Sequence, residues 1–264
     1  MIFDIVPGDP ASPVVLHVPH ASRAMTPAAR AGIVLADAEL ADELDHLTDA
    51  YTDLIARRAA DATTVRPWTF VNRFSRLLVD PERFPDEREE MLRAGMGAVY
   101  THGYTGRRLR DDDPVRDAAL ITEHFEPYAA AMTSLVAERV AATGRAVVID
   151  VHSYASRALP YELHGTRRRP PVCLGADTFH TPPELLAAAQ RAFGDTQVNS
   201  PFAGCYVPLR YYGIEPAVTA LMVEIRRDTY MIEPAGPTTA GLTDIAAAIA
   251  TLVSAQHPPA QRTA

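Results

Sequence analysis

Histidine and acidic side chains follow directly after two short apolar runs of this sequence. Residues 146–149 are Ala-Val-Val-Ile, and Asp150 and His152 come immediately behind them. Residues 13–18 form a similar run, which a proline stops just before His20. Continuous Val and Ile runs are typical of interior strands in α/β proteins, whose ligands bind at the carboxyl ends of the strands. We therefore expect His20 and His152 to lie close together, and two such imidazoles indicate a metal ion.

A catalytic zinc site normally takes three protein ligands and leaves one position open, so a carboxylate must join the two histidines. Residues 37–62 carry apolar side chains at intervals of three and four, which predicts one amphipathic helix. Of its acids, Asp49 is the best candidate because apolar residues surround it, whereas Asp53 favours an exposed position. Asp150 lies two residues before His152 on the same face of a strand, and we expect it to orient that histidine.

Glu224 follows the most hydrophobic predicted strand, which begins at Ala217. Burial raises the pKa of a carboxyl group, which suits a general base that takes a proton from water and returns it to a leaving nitrogen. An ion pair with the neighbouring Arg226 or Arg227 is the alternative interpretation. The spacing alone leaves both open.

Arginines flank the same strand ends in a chain that is otherwise acidic. Guanidinium groups bind carboxylates through two hydrogen bonds, so these residues predict a small anionic substrate. The candidates are Arg73, Arg76, Arg83, Arg226 and Arg227. A serine hydrolase is the non-metal alternative, although no Gly-x-Ser-x-Gly motif surrounds a candidate nucleophile. Those nucleophiles are Ser22, Ser75 and Ser153.

Strand and helix signals alternate along the chain. They predict an α/β three-layer sandwich, in which a mixed, mostly parallel sheet lies between helices. Besides the segments above, helices are predicted from Pro27, over 114–142, from Pro182 and over 241–255. Further strands are predicted on both sides of residues 72–76 and over 170–175.

The composition of the chain limits the classes of protein to which it can belong. The chain has 264 residues, 47% hydrophobic and 22% charged, and we interpret residues 1–264 as a single domain. A net charge of -8 disfavours nucleic-acid and anionic-membrane partners. The absence of a secretion signal and the presence of only two cysteines, Cys173 and Cys205, predict free thiols in a cytoplasmic protein. The composition carries no signal about oligomeric state.

Six sequence blocks, in order along nearly the whole chain, resemble the N-formylglutamate amidohydrolase family. The blocks are Val18–Ser22, Leu47–Asp53, Ser75–Phe84, Gly95–Tyr100, Ile149–Ser153 and Met222–Met231. The third block carries Asp-Pro-Glu-Arg-Phe, where better-characterised members of the family have an Asp-x-Asn-Arg-Pro form. This departure predicts a reshaped substrate pocket.

The resemblance implies a fold similar to the zinc-dependent exopeptidases and hydrolysis of N-formyl-L-glutamate to glutamate and formate in histidine breakdown. It implies a divalent metal, zinc in the first place, held by His20, Asp49 and His152, with Glu224 as the general base. It also places Arg76 and Arg227 on the substrate side. Ser153 is expected to be a hydroxyl close to the substrate rather than a nucleophile.

Two other functions fit the same residues. A metallo-carboxypeptidase or cell-wall amidase would use the same metal chemistry on a peptide. A non-catalytic protein would use the arginines to bind an acidic metabolite without turning it over.

Overall fold

Seven strands form one mixed sheet in the computed structural model, which describes residues 2–163 and 165–257. The strands are β1 (Phe3–Val6), β2 (Val14–Val18), β3 (Trp68–Asn72), β4 (Ala146–Tyr154), β5 (Val172–Gly175), β6 (Thr196–Val198) and β7 (Val218–Arg226). Their spatial order is β1-β3-β2-β4-β7-β5-β6. The central strands β3, β2, β4 and β7 are parallel, whereas β1 and β5 run antiparallel to β3 and β7. The predicted mixed, mostly parallel sheet is confirmed.

Helices cover both faces of this sheet. They are α1 (Pro27–Ala31), α2 (Asp37–Leu47), α3 (Thr52–Asp61), α4 (Pro114–Leu120), α5 (Glu126–Thr143), α6 (Pro183–Phe193) and α7 (Gly241–Ser254). One apolar core joins the sheet to α3, α6 and α7, through side chains such as Ile55, Leu185 and Ile249. A second core joins the opposite face to α5 through Met132 and Val136. The two cores make the predicted three-layer sandwich.

Strand alternation places the acids and the histidine of β4 and β7 on one face of the sheet. Ile149 and Val223 pack in the core under α3, α6 and α7, whereas Val148 and Ala220 pack under α5. Because side chains alternate along a strand, Asp150, His152 and Glu224 lie on the α5 face. The register pairs His152 directly with Glu224.

The predicted single helix over 37–62 is wrong, because the structure divides it into α2 and α3. Thr48 adopts an extended conformation after α2, and Tyr51 has a left-handed φ of 67° before α3. The Asp49 N–H donates to the carbonyl oxygen of His20 at 3.0 Å instead of to a helical carbonyl. Asp49 therefore lies in a bend beside β2 and not on a helical face.

The predicted helix over 114–142 contains a π-helical turn, Ile121–Phe125, between α4 and α5. Pro127 follows this turn and has no N–H to continue a regular α-helical ladder. Gly144 ends α5 in a left-handed conformation with φ 79°, as the predicted end of the helix requires.

Residues 77–79 are a buried turn rather than the predicted strand, because the Leu78 N–H donates to the Ser75 carbonyl oxygen. Both cysteines are free, as predicted, with Cys173 buried and Cys205 partly exposed. Within residues 2–163 and 165–257, no helix is both long and apolar enough to cross a bilayer.

Candidate active site

The carboxyl ends of β2, β4 and β7 meet at a cavity of about 540 Å³. His20 follows β2, His152 lies near the end of β4, and Glu224 lies near the end of β7. The bend after α2 adds Asp49 to the same wall. All four side chains are at most 9% exposed, so this part of the cavity wall is polar and has little contact with solvent.

Three donor atoms form a compact triangle. His20 Nδ1 and His152 Nδ1 lie 3.3 Å apart, and Asp49 Oδ2 lies 3.0 Å from His152 Nδ1 and 3.7 Å from His20 Nδ1. Tetrahedral zinc with bonds of about 2.0–2.1 Å separates its ligand atoms by roughly 3.3–3.4 Å. The donor types and their spacing therefore fit a divalent metal.

Carboxylates lie behind both imidazoles. His20 Nε2 is hydrogen-bonded to Asp80 Oδ1 at 2.8 Å, which leaves Nδ1 as the free nitrogen of that ring. His152 Nε2 lies 3.0 Å from Asp150 Oδ2 and 2.9 Å from Glu82 Oε2. Neither contact to His152 has hydrogen-bond geometry, so this buried nitrogen has no hydrogen-bond partner.

Glu82 offers a second carboxylate to the same two histidines. One ligand atom from each of His20, Glu82 and His152 lies within 4.8 Å of the others. Burial and the neighbouring charge of Asp150 raise the pKa of Glu82. Two acids, Asp49 and Glu82, are thus placed to complete a site on the histidine pair.

Neighbouring side chains keep Asp49 negatively charged. Burial acts to raise the pKa of Asp49, but the hydrogen bond with His152 and the nearby imidazole of His20 outweigh it and hold the pKa well below its ordinary value. Arg227 Nη2 also donates to Asp49 Oδ1 at 3.1 Å. Asp49 is therefore an anion in the folded protein, as a metal ligand must be.

Glu224 lines the cavity without an arginine partner. Its Oε2 is buried and has no hydrogen-bond partner, and no ion pair joins it to Arg226 or Arg227 among the described residues. Burial raises its pKa to about 7, against the opposing effect of His152. A buried carboxyl with a pKa near neutrality can accept and release a proton during a reaction.

Arg76 and Arg227 are largely occupied by contacts within the protein. Arg76 donates to Asp80 Oδ2 at 2.8 Å and to the Tyr100 hydroxyl at 3.1 Å. Arg227 donates to the His46 carbonyl at 2.6 Å and to Ser153 Oγ at 3.2 Å. These contacts fix both guanidinium groups in the cavity wall.

Arg83 has fewer protein partners. Its closest acidic atoms are Asp80 Oδ2 at 3.6 Å and Glu89 Oε1 at 3.5 Å, and its Nε has no hydrogen-bond partner. Arg73 does not lie in the cavity, because its side chain is 57% exposed and faces Asp4 at 3.4 Å on the outside of the sheet.

The three candidate serines do not form a nucleophile pair with histidine. Ser22 Oγ donates to the Arg73 carbonyl, Ser75 Oγ accepts from the Leu77 N–H, and Ser153 Oγ accepts from Arg227. Within the described chain, none of these hydroxyls is hydrogen-bonded to an imidazole. The structure therefore gives no support to the serine hydrolase alternative.

Sequence reasoning does not select three buried residues of this region, namely His17, Asp80 and Glu82. Asp80 carried a usable signal, because it follows the apolar run 77–79 just as Glu224 follows its strand. Glu82 stood out only as a departure from the family's usual motif, and His17 carried no signal, since a histidine inside a strand has many ordinary roles.

The chain is similar to proteins of one known family. The family model of N-formylglutamate amidohydrolase matches residues 12–231. An N-formylglutamate deformylase from Pseudomonas aeruginosa is 29% identical over 234 residues, which is 84% of each chain.

Two solved structures share the fold. A crystal structure of N-formylglutamate amidohydrolase from Ralstonia eutropha JMP134 superposes with a TM-score of 0.79 at 21% identity, covering 96% of this chain and 95% of that one. A gene product of Agrobacterium tumefaciens superposes with a TM-score of 0.70 at 20% identity, covering 95% and 92%. The family match extends over most of the chain and includes every residue of the cavity wall discussed above. The chain therefore belongs to the N-formylglutamate amidohydrolase family and is a hydrolase that acts on amides.

Proposed function

We propose that the chain is a metal-dependent amidohydrolase that removes the formyl group from an N-formylated acidic amino acid, with N-formyl-L-glutamate as the first candidate. The observation that carries this proposal is the triangle of His20 Nδ1, His152 Nδ1 and Asp49 Oδ2 beside the unpartnered carboxyl of Glu224. The names of the family and of the Pseudomonas relative supply the substrate class.

His20, Asp49 and His152 would hold the ion, which we expect to be zinc. When bound, such an ion supplies Lewis acidity and makes water easier to deprotonate. Asp80 fixes the ring of His20 through its 2.8 Å contact, and Asp150 lies behind His152. The Asp80 hydrogen bond keeps the imidazole of His20 turned towards the cavity, and we expect Asp150 to orient His152 when the ion is bound.

Glu224 moves the proton. It takes a proton from the attacking water, whose oxygen bonds to the formyl carbon, and returns that proton to the amide nitrogen as the C–N bond breaks. The products are formate and the free amino acid. No hydrogen bond among the described residues holds Oε2, and a pKa of about 7 allows the carboxyl group to make both proton transfers near neutral pH.

Arg83 is the arginine best placed to bind the substrate carboxylates, because among the described residues its side chain has ion-pair contacts at 3.5–3.6 Å but its Nε has no hydrogen-bond partner. Arg76 and Arg227, with Ser153, would define the wall against which the substrate lies. A volume of about 540 Å³ lies within the range of ordinary small-molecule sites, roughly 300–1,000 Å³. We expect the enzyme to act in the cytoplasm on a small anionic metabolite.

Metal analysis combined with a substrate panel tests the proposal. The panel contains N-formyl-L-glutamate, N-formyl-L-aspartate, N-acetyl-L-glutamate and short peptides, and released amine is measured. We expect stoichiometric metal, loss of turnover after chelation, and a preference for formylated acidic amino acids. Preference for the peptides would favour the carboxypeptidase or amidase alternative. Tight binding of the panel without turnover would favour the metabolite-binding alternative, and full turnover in metal-free protein would exclude the mechanism.

A further inference from the structure

A second group of possible metal ligands lies beside the first, on the side of helix α5. One ligand atom from each of His17, Glu82 and Asp150 lies within 4.8 Å of the others. His17 Nδ1 is 2.8 Å from Asp150 Oδ1 and 3.5 Å from Glu82 Oε1. The His17 and Asp150 side chains are 0% and 1% exposed, and that of Glu82 is 15% exposed. The group is therefore nearly shielded from water.

Two atoms facing this group have unused hydrogen-bonding capacity. Glu82 Oε1 and His152 Nε2 are both buried, and neither has a hydrogen-bond partner in the described part of the chain. His152 Nε2 nevertheless lies 3.0 Å from Asp150 Oδ2 and 2.9 Å from Glu82 Oε2. Leaving buried polar atoms unpaired costs about 1–3 kcal/mol each. A cation beside Glu82 Oε1 would satisfy that oxygen.

The charges around Glu82 and Asp150 also favour a bound cation. Asp49 and Asp80, the other two aspartates of the site, each contact an arginine, Arg227 and Arg76 respectively. By contrast, the ion pairs that Glu82 and Asp150 form within the described ranges are with histidines alone. Two neighbouring carboxylates in a buried place need a compensating positive charge. Arginines supply this positive charge beside Asp49 and Asp80. Among the described residues, no arginine forms an ion pair with Glu82 or Asp150.

We propose that His17, Glu82 and Asp150 hold a second divalent cation, adjacent to the ion that His20, Asp49 and His152 would hold. Glu82 and the imidazole of His152 lie between the two positions. Glu82 presents Oε2 to His152 and Oε1 to His17, and His152 presents Nδ1 to Asp49 and Nε2 to Asp150. This inference depends on the proposed function in one respect, namely the presence of the neighbouring ion.

Tyr128 of α5 positions the histidine of this second set. Its hydroxyl lies 2.5 Å from His17 Nε2, which leaves His17 Nδ1 directed at the two carboxylates. A ligand histidine typically has such a partner on its other nitrogen. Mixed imidazole and carboxylate ligands suit first-row ions such as Zn²⁺, Co²⁺ and Mn²⁺.

Metal stoichiometry tests the second site without relying on activity. Metal-free full-length protein is titrated with Zn²⁺ and then with Co²⁺, and bound metal is measured by mass spectrometry after gel filtration. We expect two equivalents in the wild type and one equivalent in His17→Gln and in Glu82→Gln. Glu224→Gln is the matched control, because it removes a charge from the same cavity but from neither ligand set, and it should retain two equivalents.

Chelator competition tests the second site with a variant that keeps all of the proposed ligands. Tyr128→Phe should weaken the second equivalent by about 10–100-fold and leave the first unchanged. Circular dichroism checks that each variant is folded, and Tyr128→Phe keeps the test decisive if His17→Gln does not fold. One equivalent in the wild type, unchanged by Glu82→Gln and by Tyr128→Phe, would overturn the second site and leave the proposed function standing. No bound metal at all would overturn both.

Discussion

Glu224 is the residue on which the proposed chemistry depends most directly. Replacing it with glutamine preserves the shape of the side chain and removes its ability to accept a proton. General acid–base catalysis contributes about 10²–10⁴-fold, so Glu224→Gln should lower kcat/KM by that factor. Steady-state release of formate measures the change.

Metal content and melting temperature serve as controls for this variant, and both should match the wild type because Glu224 has no hydrogen bond or ion pair to lose at Oε2. Turnover within threefold of the wild type would exclude Glu224 as the base.

Arg83 provides the second prediction at this scale. Hydrogen bonds to charged groups contribute about 1.5–3 kcal/mol, so Arg83→Ala should reduce kcat/KM for N-formyl-L-glutamate by roughly 10–100-fold. Most of the loss should appear in KM, because the contact is made to a part of the substrate that does not react. Arg73→Ala is the matched control, since that arginine is exposed and faces Asp4 outside the cavity. Equal effects of the two substitutions would remove Arg83 from the binding site.

Single residues at strand ends are well predicted from sequence, because an apolar run marks its strand and the next polar residue marks its end. This argument places His20, His152 and Glu224 at the cavity, where the structure has them. It fails for Glu82, since nothing local distinguishes a loop carboxylate that turns inwards from one that stays in water. It also fails for Arg73, whose neighbour Asp4 lies far away in the sequence.

Elements are predicted well where their periodicity is long and poorly where tertiary contacts override it. Strands β4 and β7 each span nine residues and stand out as apolar runs. Strands β1 and β6 have four and three residues, and both are partly exposed, so their sequences show no distinct pattern. The bend between α2 and α3 is invisible for another reason, because apolar residues continue at helical intervals across it.

A core residue of the central strands allows a prediction about the stability of the fold. Leu221 of β7 is 0% exposed in the core under α3, α6 and α7. Leu221→Ala should lower the free energy of unfolding by about 2–5 kcal/mol, because it removes buried methyl groups and leaves a cavity. Urea unfolding measures the loss.

Val115→Ala is the corresponding surface control, because Val115 is 83% exposed at the start of α4. It should stay within about 0.5 kcal/mol of the wild type. A comparable loss in both variants would show that burial at Leu221 does not determine the difference.

At the scale of the whole molecule, the site concentrates negative charge in the interior. Asp49, Glu82, Asp150 and Glu224 line one cavity and are buried or nearly buried, and the buried Asp80 lies behind His20. A ligand that binds only the folded state at 100 times its Kd stabilises that state by about 2.7 kcal/mol. Removing the metal should therefore lower Tm by roughly 5–10 °C for a protein of this size.

Calorimetry of chelated and zinc-reloaded protein measures this shift, with magnesium at the same concentration as a control for ionic strength. A Tm that chelation leaves unchanged would contradict metal binding to the folded state.

The three-layer architecture is predicted from the alternation of strand and helix signals, since each layer must bury the apolar face of its neighbour. The order of the strands is not predicted. β3 separates β1 from β2, and β7 separates β4 from β5, so sequence neighbours are not always neighbours in the sheet. Pairings of this kind depend on long-range packing that no local pattern records.

The bend between α2 and α3 ties two candidate ligands together through the backbone. The Asp49 N–H donates to the His20 carbonyl, whereas in an uninterrupted helix it would donate to the carbonyl of Asp45. Local periodicity favours the uninterrupted helix, in which Asp49 would follow the helical surface instead of meeting His152. In a chain whose first twenty residues have not yet joined the sheet, neither His20 nor Asp49 is in position for the site. The proposed metal site would therefore form together with the tertiary structure and not before it.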